Sequence, residues 1–301
     1  MEGGLVQHKI VGHVNTNSRV SKKKKVVRRR SLVLSSSSSS LSSNNARKSV
    51  SCDGKNDVPI CLGLQRLYHV CKNVFKGAGF VPPPHDVNKL CNILDSLKPE
   101  DLGLSRELPF FKPGRNANKP PRVLCTTVYE CPKMKFSLVL FFLPASAVIP
   151  LHNHPEMTVC SKLLLGTMHI KAFDWDDSGD VKPEHESPSS SRLARLKADS
   201  VFTAPCDTSV LYPTSGGNIH AFTAMTPCVV LDVIGPPYSK TDGRDCSYYE
   251  EIKCGSSDGK LENLKDEEQS YAWLKEIEVP EHAQMDCIAY LGPRVIETDT
   301  S

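Results

Sequence analysis

Apolar positions first fall into a pattern at helical spacing. Leu62, Leu67, Val70, Val74 and Phe75 share one stripe, which predicts a helix within 60–77. Pro82-Pro83-Pro84 interrupts the chain. Val87, Leu90, Ile93 and Leu94 then form the apolar face of a second helix, from about Asp86 to Leu97, ended by Leu97-Lys98-Pro99. Asp101-Leu102-Gly103 opens a short turn. A helical cap of this kind can cover one edge of a barrel. From Arg122 onward the period shortens to that of strands. Val123–Glu130 and Phe136–Phe142 are rich in β-formers, and strands are expected around His152 and over Thr167–Trp175, Val201–Ala204, Val210–Tyr212, His220–Thr223 and Val229–Ile234. Many short strands with turn signals between them predict a mainly β chain folded as a jelly-roll barrel. A polar insertion lies between Asp176 and Ser191, where His185 is expected to be solvated. The segment Tyr248–Tyr290 is expected to add strands and pack Trp273. No internal repeat is evident.

Charge changes this picture at the N-terminus. The net charge of +3 hides a basic tail, because residues 1–50 carry +10 and the remainder −7. The tail holds Lys22–Lys25, Arg28–Arg30 and the serine tract Ser35–Ser40, and it has too little apolar surface to offset its ordering entropy. Two regions are therefore expected: a disordered tail over 1–55 and a folded domain with its helical cap over 56–301. The split basic cluster reads as a nuclear localisation signal, giving a protein of nucleus and cytoplasm. A solvated tail or an organelle transit peptide are the alternatives. No aromatic residues interleave the charges, so direct nucleic-acid binding is not expected. The chain contains no apolar run of eighteen residues, and Pro144 interrupts Phe136–Ile149, so no membrane span is expected. Twelve irregularly spaced cysteines without a Cys-x-x-Cys pair suit reduced, intracellular thiols rather than a zinc ribbon. Among them Cys160, on a predicted strand, is the candidate to approach a metal, although core packing is the simpler reading. Nothing in the sequence demands an oligomer, and a monomer is expected.

The candidate chemistry lies in three histidines. His152 and His154 stand two residues apart, so on a strand their imidazoles point to one face. His220 on a neighbouring strand completes three nitrogen donors and leaves the far side of a metal open, as a catalytic site requires. His154, Val159 and Gly166 fall in the register of the first cupin motif, and Gly217 and His220 in that of the second. The chain thus resembles a metal-binding cupin, a double-stranded β-helix. It departs from the usual pattern at Val159, where most metal cupins carry glutamate, and at Ser215 and Ala224; Glu156 is out of register. Three neutral imidazoles leave the full charge on a dipositive ion and favour an anionic substrate ligand such as a thiolate. Imidazole suits iron, zinc, copper and nickel alike, so the ligand set does not fix the metal.

The runs HNHPEMTVCSKLLLGTMHIKAFDW (His152–Trp175) and PTSGGNIHAFTAMTPCVVLDVIGPPYS (Pro213–Ser239) resemble the plant cysteine oxidase family of thiol dioxygenases, relatives of the animal cysteamine dioxygenase. The resemblance covers about Cys61 to Leu291. It implies that His152, His154 and His220 hold Fe(2+). It further implies oxidation of the N-terminal cysteine of ethylene-response transcription factors to the sulfinic acid with dioxygen, feeding an N-degron pathway and hypoxia sensing. A small-aminothiol (cysteamine) dioxygenase and a non-catalytic metal-binding cupin remain the alternatives.

Two further residues stand out. Asp232 lies alone in the apolar run Val229-Val230-Leu231-Asp232-Val233-Ile234, and a buried carboxylate is costly unless partnered. It serves either as an internal hydrogen-bonded cap or as a group facing the cavity. Tyr238 follows the stiff Gly235-Pro236-Pro237 turn, and its hydroxyl could donate to bound oxygen or substrate. The family resemblance implies that both line the active site. Cys246 falls nearby on a loop and is given no role. No phosphate-cradling glycine loop, nucleophile elbow or His-Glu-x-x-His helix competes with this reading.

Overall fold

The alternating runs pair into two sheets in a computed structural model, which describes residues 61–105, 122–177, 190–252 and 271–297. The basic tail over 1–55 and most of the polar insertion, including His185, lie outside those residues. Two helices, α1 (Leu62–Val74) and α2 (Pro84–Ser96), precede the strands. The strands are β1 (Leu124–Glu130), β2 (Ser137–Leu143), β3 (Val148–Asn153), β4 (Thr158–Leu165), β5 (Thr167–Trp175) and β6 (Ser191–Thr203). They continue with β7 (Ser209–Leu211), β8 (Ile219–Ala224), β9 (Cys228–Gly235), β10 (Tyr248–Ile252), β11 (Tyr271–Ile277) and β12 (Asp286–Cys287). One sheet runs β12-β1-β2-β9-β4-β7, and the other closes on itself as β10-β11-β6-β5-β8-β3. The fold is the mainly β, cupin-type double-stranded β-helix with helices packed outside it. Among the described residues no helix is long and apolar enough to cross a membrane.

Alternation on β4 shows how the sequence sorts side chains. Val159, Ser161 and Leu163 face the barrel interior, while Cys160, Lys162 and Leu164 face the helices. On the helical side, Leu64, Leu67, Tyr68, Cys71 and Val74 of α1 and Val87, Leu90 and Leu94 of α2 are buried. They pack on Leu138, Leu140, Leu231 and Val233 from the outer face of the sheet. Buried Lys162 reaches across to Asp95 of α2 at 2.7 Å, and Asp95 also accepts the backbone N–H of Thr208 at 2.9 Å. β9 carries a layer on each face, so all eight of its residues are buried.

Two details differ from the sequence-based expectation. Leu62 is 76% exposed, because α1 begins there and its buried stripe starts at Leu64. β6 begins ten residues before the expected Val201. Its Arg192, Arg195, Lys197 and Asp199 conceal the alternation, and the strand has only one buried position, Ala194. Cys160, by contrast, follows the simpler reading: it turns away from the histidines toward Cys91 of α2 and packs in the core.

One close contact ties the helical layer to the end of β9. Phe75, just past α1, lies against Gly235, where an added Cβ would fall 2.1 Å from the ring. The Gly235–Pro236 bond that follows is cis.

Candidate metal centre

The β3–β8 ladder sets His152 directly opposite His220, after a bulge between Ile149 and His152. His154 follows β3 by one residue and turns its ring into the same space. The three ring centroids lie 4.8–4.9 Å apart, and one ligand atom from each ring falls within 4.8 Å of the others. His154 Nε2 and His220 Nε2 approach to 3.4 Å. Like nitrogens do not converge in a buried site without something to share, and a cation is the simplest such partner.

The remaining ring nitrogens support that reading. His152 Nδ1 is 2.8 Å from the Pro150 carbonyl, which can only accept, so Nδ1 carries the proton and Nε2 keeps its lone pair. His154 Nδ1 is 2.8 Å from the Tyr238 hydroxyl, which also lies 2.8 Å from the Asn153 carbonyl. The consistent assignment has His154 Nδ1–H donating to Tyr238 Oη and the Tyr238 hydroxyl donating to Asn153. His220 is hydrogen-bonded to the Gly217 backbone. Each imidazole is thus oriented from behind by a protein group, as metal-binding histidines are. Burial pushes all three below the ordinary histidine range, and for His154 and His220 neighbouring rings add to the effect. They are neutral donors near neutral pH.

A second polar strut joins the two histidine segments. Asn218 accepts the His154 backbone N–H at 3.1 Å and donates to the His154 and Tyr212 carbonyls, each at 2.8 Å. Buried Asp174 of β5 accepts the Gly217 and Asn218 N–H groups at 2.8 and 2.9 Å. Gly217 has φ +82°, and a Cβ there would meet Ala172 at 2.7 Å, so the turn before His220 needs glycine on both counts.

The histidines line a cavity of about 290 Å³ with Val139, Phe141, Ile149, Phe222, Asp232 and Ile234. Asp232 is fully buried. Burial pushes its carboxyl up to about 7, against the opposing hydrogen bond from Ser161, and Oδ1 has no hydrogen-bond partner. The structure places Tyr238 on the same cavity, with its hydroxyl committed to His154 and Asn153 rather than free to donate elsewhere. Cys246, given no role from sequence, also lines the cavity, and burial pushes its thiol up to about 12. Thr127, Glu130, Met285, Cys287 and Ile288 also line the cavity, and all of these but Met285 are exposed, which puts its mouth on this side. Sequence reasoning missed this C-terminal wall, because β12 has two residues and pairs with a strand more than 160 positions earlier.

The donor set fits a dipositive transition ion: three neutral, pre-oriented imidazoles, no carboxylate, and an open side facing a cavity able to take an anionic ligand.

The family model PCO_ADO matches residues 93–295. Plant cysteine oxidase 2 of Arabidopsis thaliana is 46% identical over 259 residues, covering 84% of this chain and 90% of that protein. Plant cysteine oxidase 1 of the same species is 45% identical over 241 residues, covering 77% and 80%. The 2-aminoethanethiol dioxygenase of Mus musculus is 31% identical over 232 residues, covering 71% and 86%.

Proposed function

Because the chain belongs to the PCO_ADO family and is a cysteine dioxygenase, we propose that it uses iron(II) to oxidise the N-terminal cysteine of proteins to the sulfinic acid. The overall change adds both atoms of dioxygen to a thiol, R–SH + O2 → R–SO2H, and needs no other reductant. Iron, when bound, supplies a centre that ligates thiolate and dioxygen together and lets electron density pass between them.

The protein's own share is arrangement. His152, His154 and His220 would hold a dipositive ion without neutralising its charge, which would favour a thiolate ligand. Tyr238 and the Asn153 carbonyl fix the His154 ring. Asp232 offers an unpartnered carboxyl oxygen in the same cavity and would accept a hydrogen bond from the substrate's amine. Val139, Ile149, Phe222 and Ile234 line the same cavity and would surround the substrate sulfur with apolar atoms.

The observation that carries this reading is the carboxylate-free histidine triad in a chain 45–46% identical to plant cysteine oxidases. The family resemblance of the two histidine runs implies the finer reading, that the substrates are ethylene-response transcription factors whose exposed cysteine feeds an N-degron pathway and that oxygen-limited turnover would make the enzyme a sensor of hypoxia. The basic run Lys22–Arg30 would carry it to such substrates in the nucleus. A second reading, oxidation of a small aminothiol, is favoured by the 31% identity to the mouse 2-aminoethanethiol dioxygenase.

Mass spectrometry under labelled dioxygen separates the two. A Cys-initiated peptide should gain two labelled oxygens at its first residue, faster than cysteamine at equal concentration. Labelling of cysteamine alone would transfer the assignment to the small thiol. Labelling of neither, with iron verified in the protein, would leave a non-catalytic cupin.

A further inference from the structure

Two cysteines meet at the mouth of the cavity. Cys125 of β1 and Cys287 of β12 are directly paired across a parallel ladder, and their sulfurs stand 3.2 Å apart although 162 positions separate them in sequence. Adjacent strands lie about 4.8 Å apart, inside the roughly 4.4–6.8 Å range of Cα separations that a disulfide spans. Paired residues project to the same side, so the sulfurs need to close by only about 1 Å to reach the bonded distance of about 2.05 Å. Cys287 is exposed and Cys125 half-buried, and both border the cavity. The other close thiol pair among the described residues, Cys91 and Cys160, has one member sealed in the core between α2 and β4.

The wall that carries Cys287 is lightly attached to β1. Two residue pairs join β12 to that strand, with backbone bonds from Asp286 to Val123 at 3.0 Å and from Ile288 to Cys125 at 2.9 Å. Arg122 adds exposed contacts to Asp286 at 2.8 Å and Gln284 at 2.9 Å. A covalent link here would change how freely one side of the mouth moves.

We propose that Cys125 and Cys287 form a reversible disulfide that clasps the C-terminal wall of the cavity to β1, made by exchange with a low-molecular-weight disulfide. The Cys287 thiolate, its proton given to solvent, attacks one sulfur of glutathione disulfide and releases one glutathione thiolate. The Cys125 sulfur then attacks Cys287 in the mixed disulfide, the new S–S bond forms, and the second glutathione leaves with the Cys125 proton. Two protein thiols are oxidised, one glutathione disulfide is reduced to two glutathione molecules, and excess thiol reverses both steps. Burial holds the Cys125 thiol protonated, its affinity pushed up to about 12, which suits the second, resolving position better than the first. Substrate thiols of a cysteine dioxygenase enter beside this pair, so the clasp is exposed to the same thiol pool as the metal.

The test uses the full-length, iron-loaded protein under argon, equilibrated with glutathione disulfide, quenched in acid with alkylation and mapped without reduction. The expected product is a Cys125–Cys287 linked peptide that forms at least tenfold faster than any Cys91–Cys160 link and is reversed by excess glutathione. In Cys125→Ser the exposed Cys287 should instead keep its glutathione, which checks the order of attack. Amide exchange over residues 283–290 should slow at least tenfold in the linked form and stay unchanged by the same treatment in Cys287→Ser. Cys287 left as a mixed disulfide in the wild-type protein would overturn the proposal. So would a Cys91–Cys160 link at an equal rate, or unchanged exchange in the linked form.

Discussion

The two ends of the barrel interior are built from the same strands by the same alternation, yet they hold opposite kinds of residue. At one end Leu143, Ile149, Leu163, Met168, Phe222, Ala224, Cys228 and Val230 fill the space with apolar atoms. Further along β3, β8 and β9 the inward positions become His152, His220 and Asp232, and the space opens into a cavity. The boundary is a single stack, His220 on Phe222, with centroids 4.5 Å apart and planes 11° from parallel. The apolar end stabilises the fold, so the polar end can keep groups facing one another across open space, tied from behind and unsatisfied in front. Stability and chemistry are divided by position along the strand, two residues apart.

Mutations should respect that division. The largest effect is expected from His220→Ala. It removes a donor itself and should lower metal affinity by more than the roughly 10–100-fold that loss of a supporting hydrogen bond costs. Metal content and thiol oxidation should both vanish while the metal-free fold remains, as read by metal analysis and circular dichroism. At the other end Leu163→Ala should do the reverse, costing about 2–5 kcal/mol in denaturant unfolding with the metal retained. A metal-free Leu163→Ala protein that is still folded would dissolve the distinction.

Asp232→Asn sharpens the comparison through pH. Burial raises the carboxyl to about 7 in the fold, well above the ordinary aspartate value of about 4, so the folded state holds its proton where the unfolded state has lost it. Its contribution to stability is therefore full below about pH 4 and is lost as pH rises to about 7. For the metal-free protein this share is on the order of 4 kcal/mol between pH 4 and pH 8. Asp232→Asn should remove it, so the variant gains on the wild type as pH rises, while turnover of the metal-loaded enzyme falls. Urea midpoints of both proteins across that range check the sign. The smallest effect is expected from Tyr238→Phe, which keeps the ring packed but frees His154. Metal affinity should fall about 10–100-fold, with the unfolding midpoint of the metal-free protein little changed.

Much of this was legible in the sequence where short-range rules apply. His152 and His154 share a face because strands alternate, and Gly217 marks the turn that delivers His220. Asp232 announces itself as one charge in an apolar run. Other features depend on partners distant in sequence. The C-terminal wall exists through a two-residue ladder to β1, and such a segment has no period of its own. β6 is exposed along most of its length, so its charges hide its strand character. Cys160 is the instructive case: it stands one position from inward-facing Val159 and Ser161, and that single step puts it among the helices. Only the family resemblance put Tyr238 at the cavity, and its hydroxyl is held by Asn153 and His154, a pairing visible only in three dimensions.

The register that sets His152 opposite His220, with Asn218 bridging to His154, would make a bound ion a cross-strand staple. Whatever binds the three imidazoles together binds β3 to β8, and its binding free energy becomes part of the folding equilibrium. Metal at about 100 times its dissociation constant would raise stability by about 2.7 kcal/mol. A chelator would therefore act on this protein as a mild denaturant, loosening the β3–β8 seam before any other part of the barrel, and a cell short of metal would carry not only less active enzyme but less enzyme, as the opened chain is cleared.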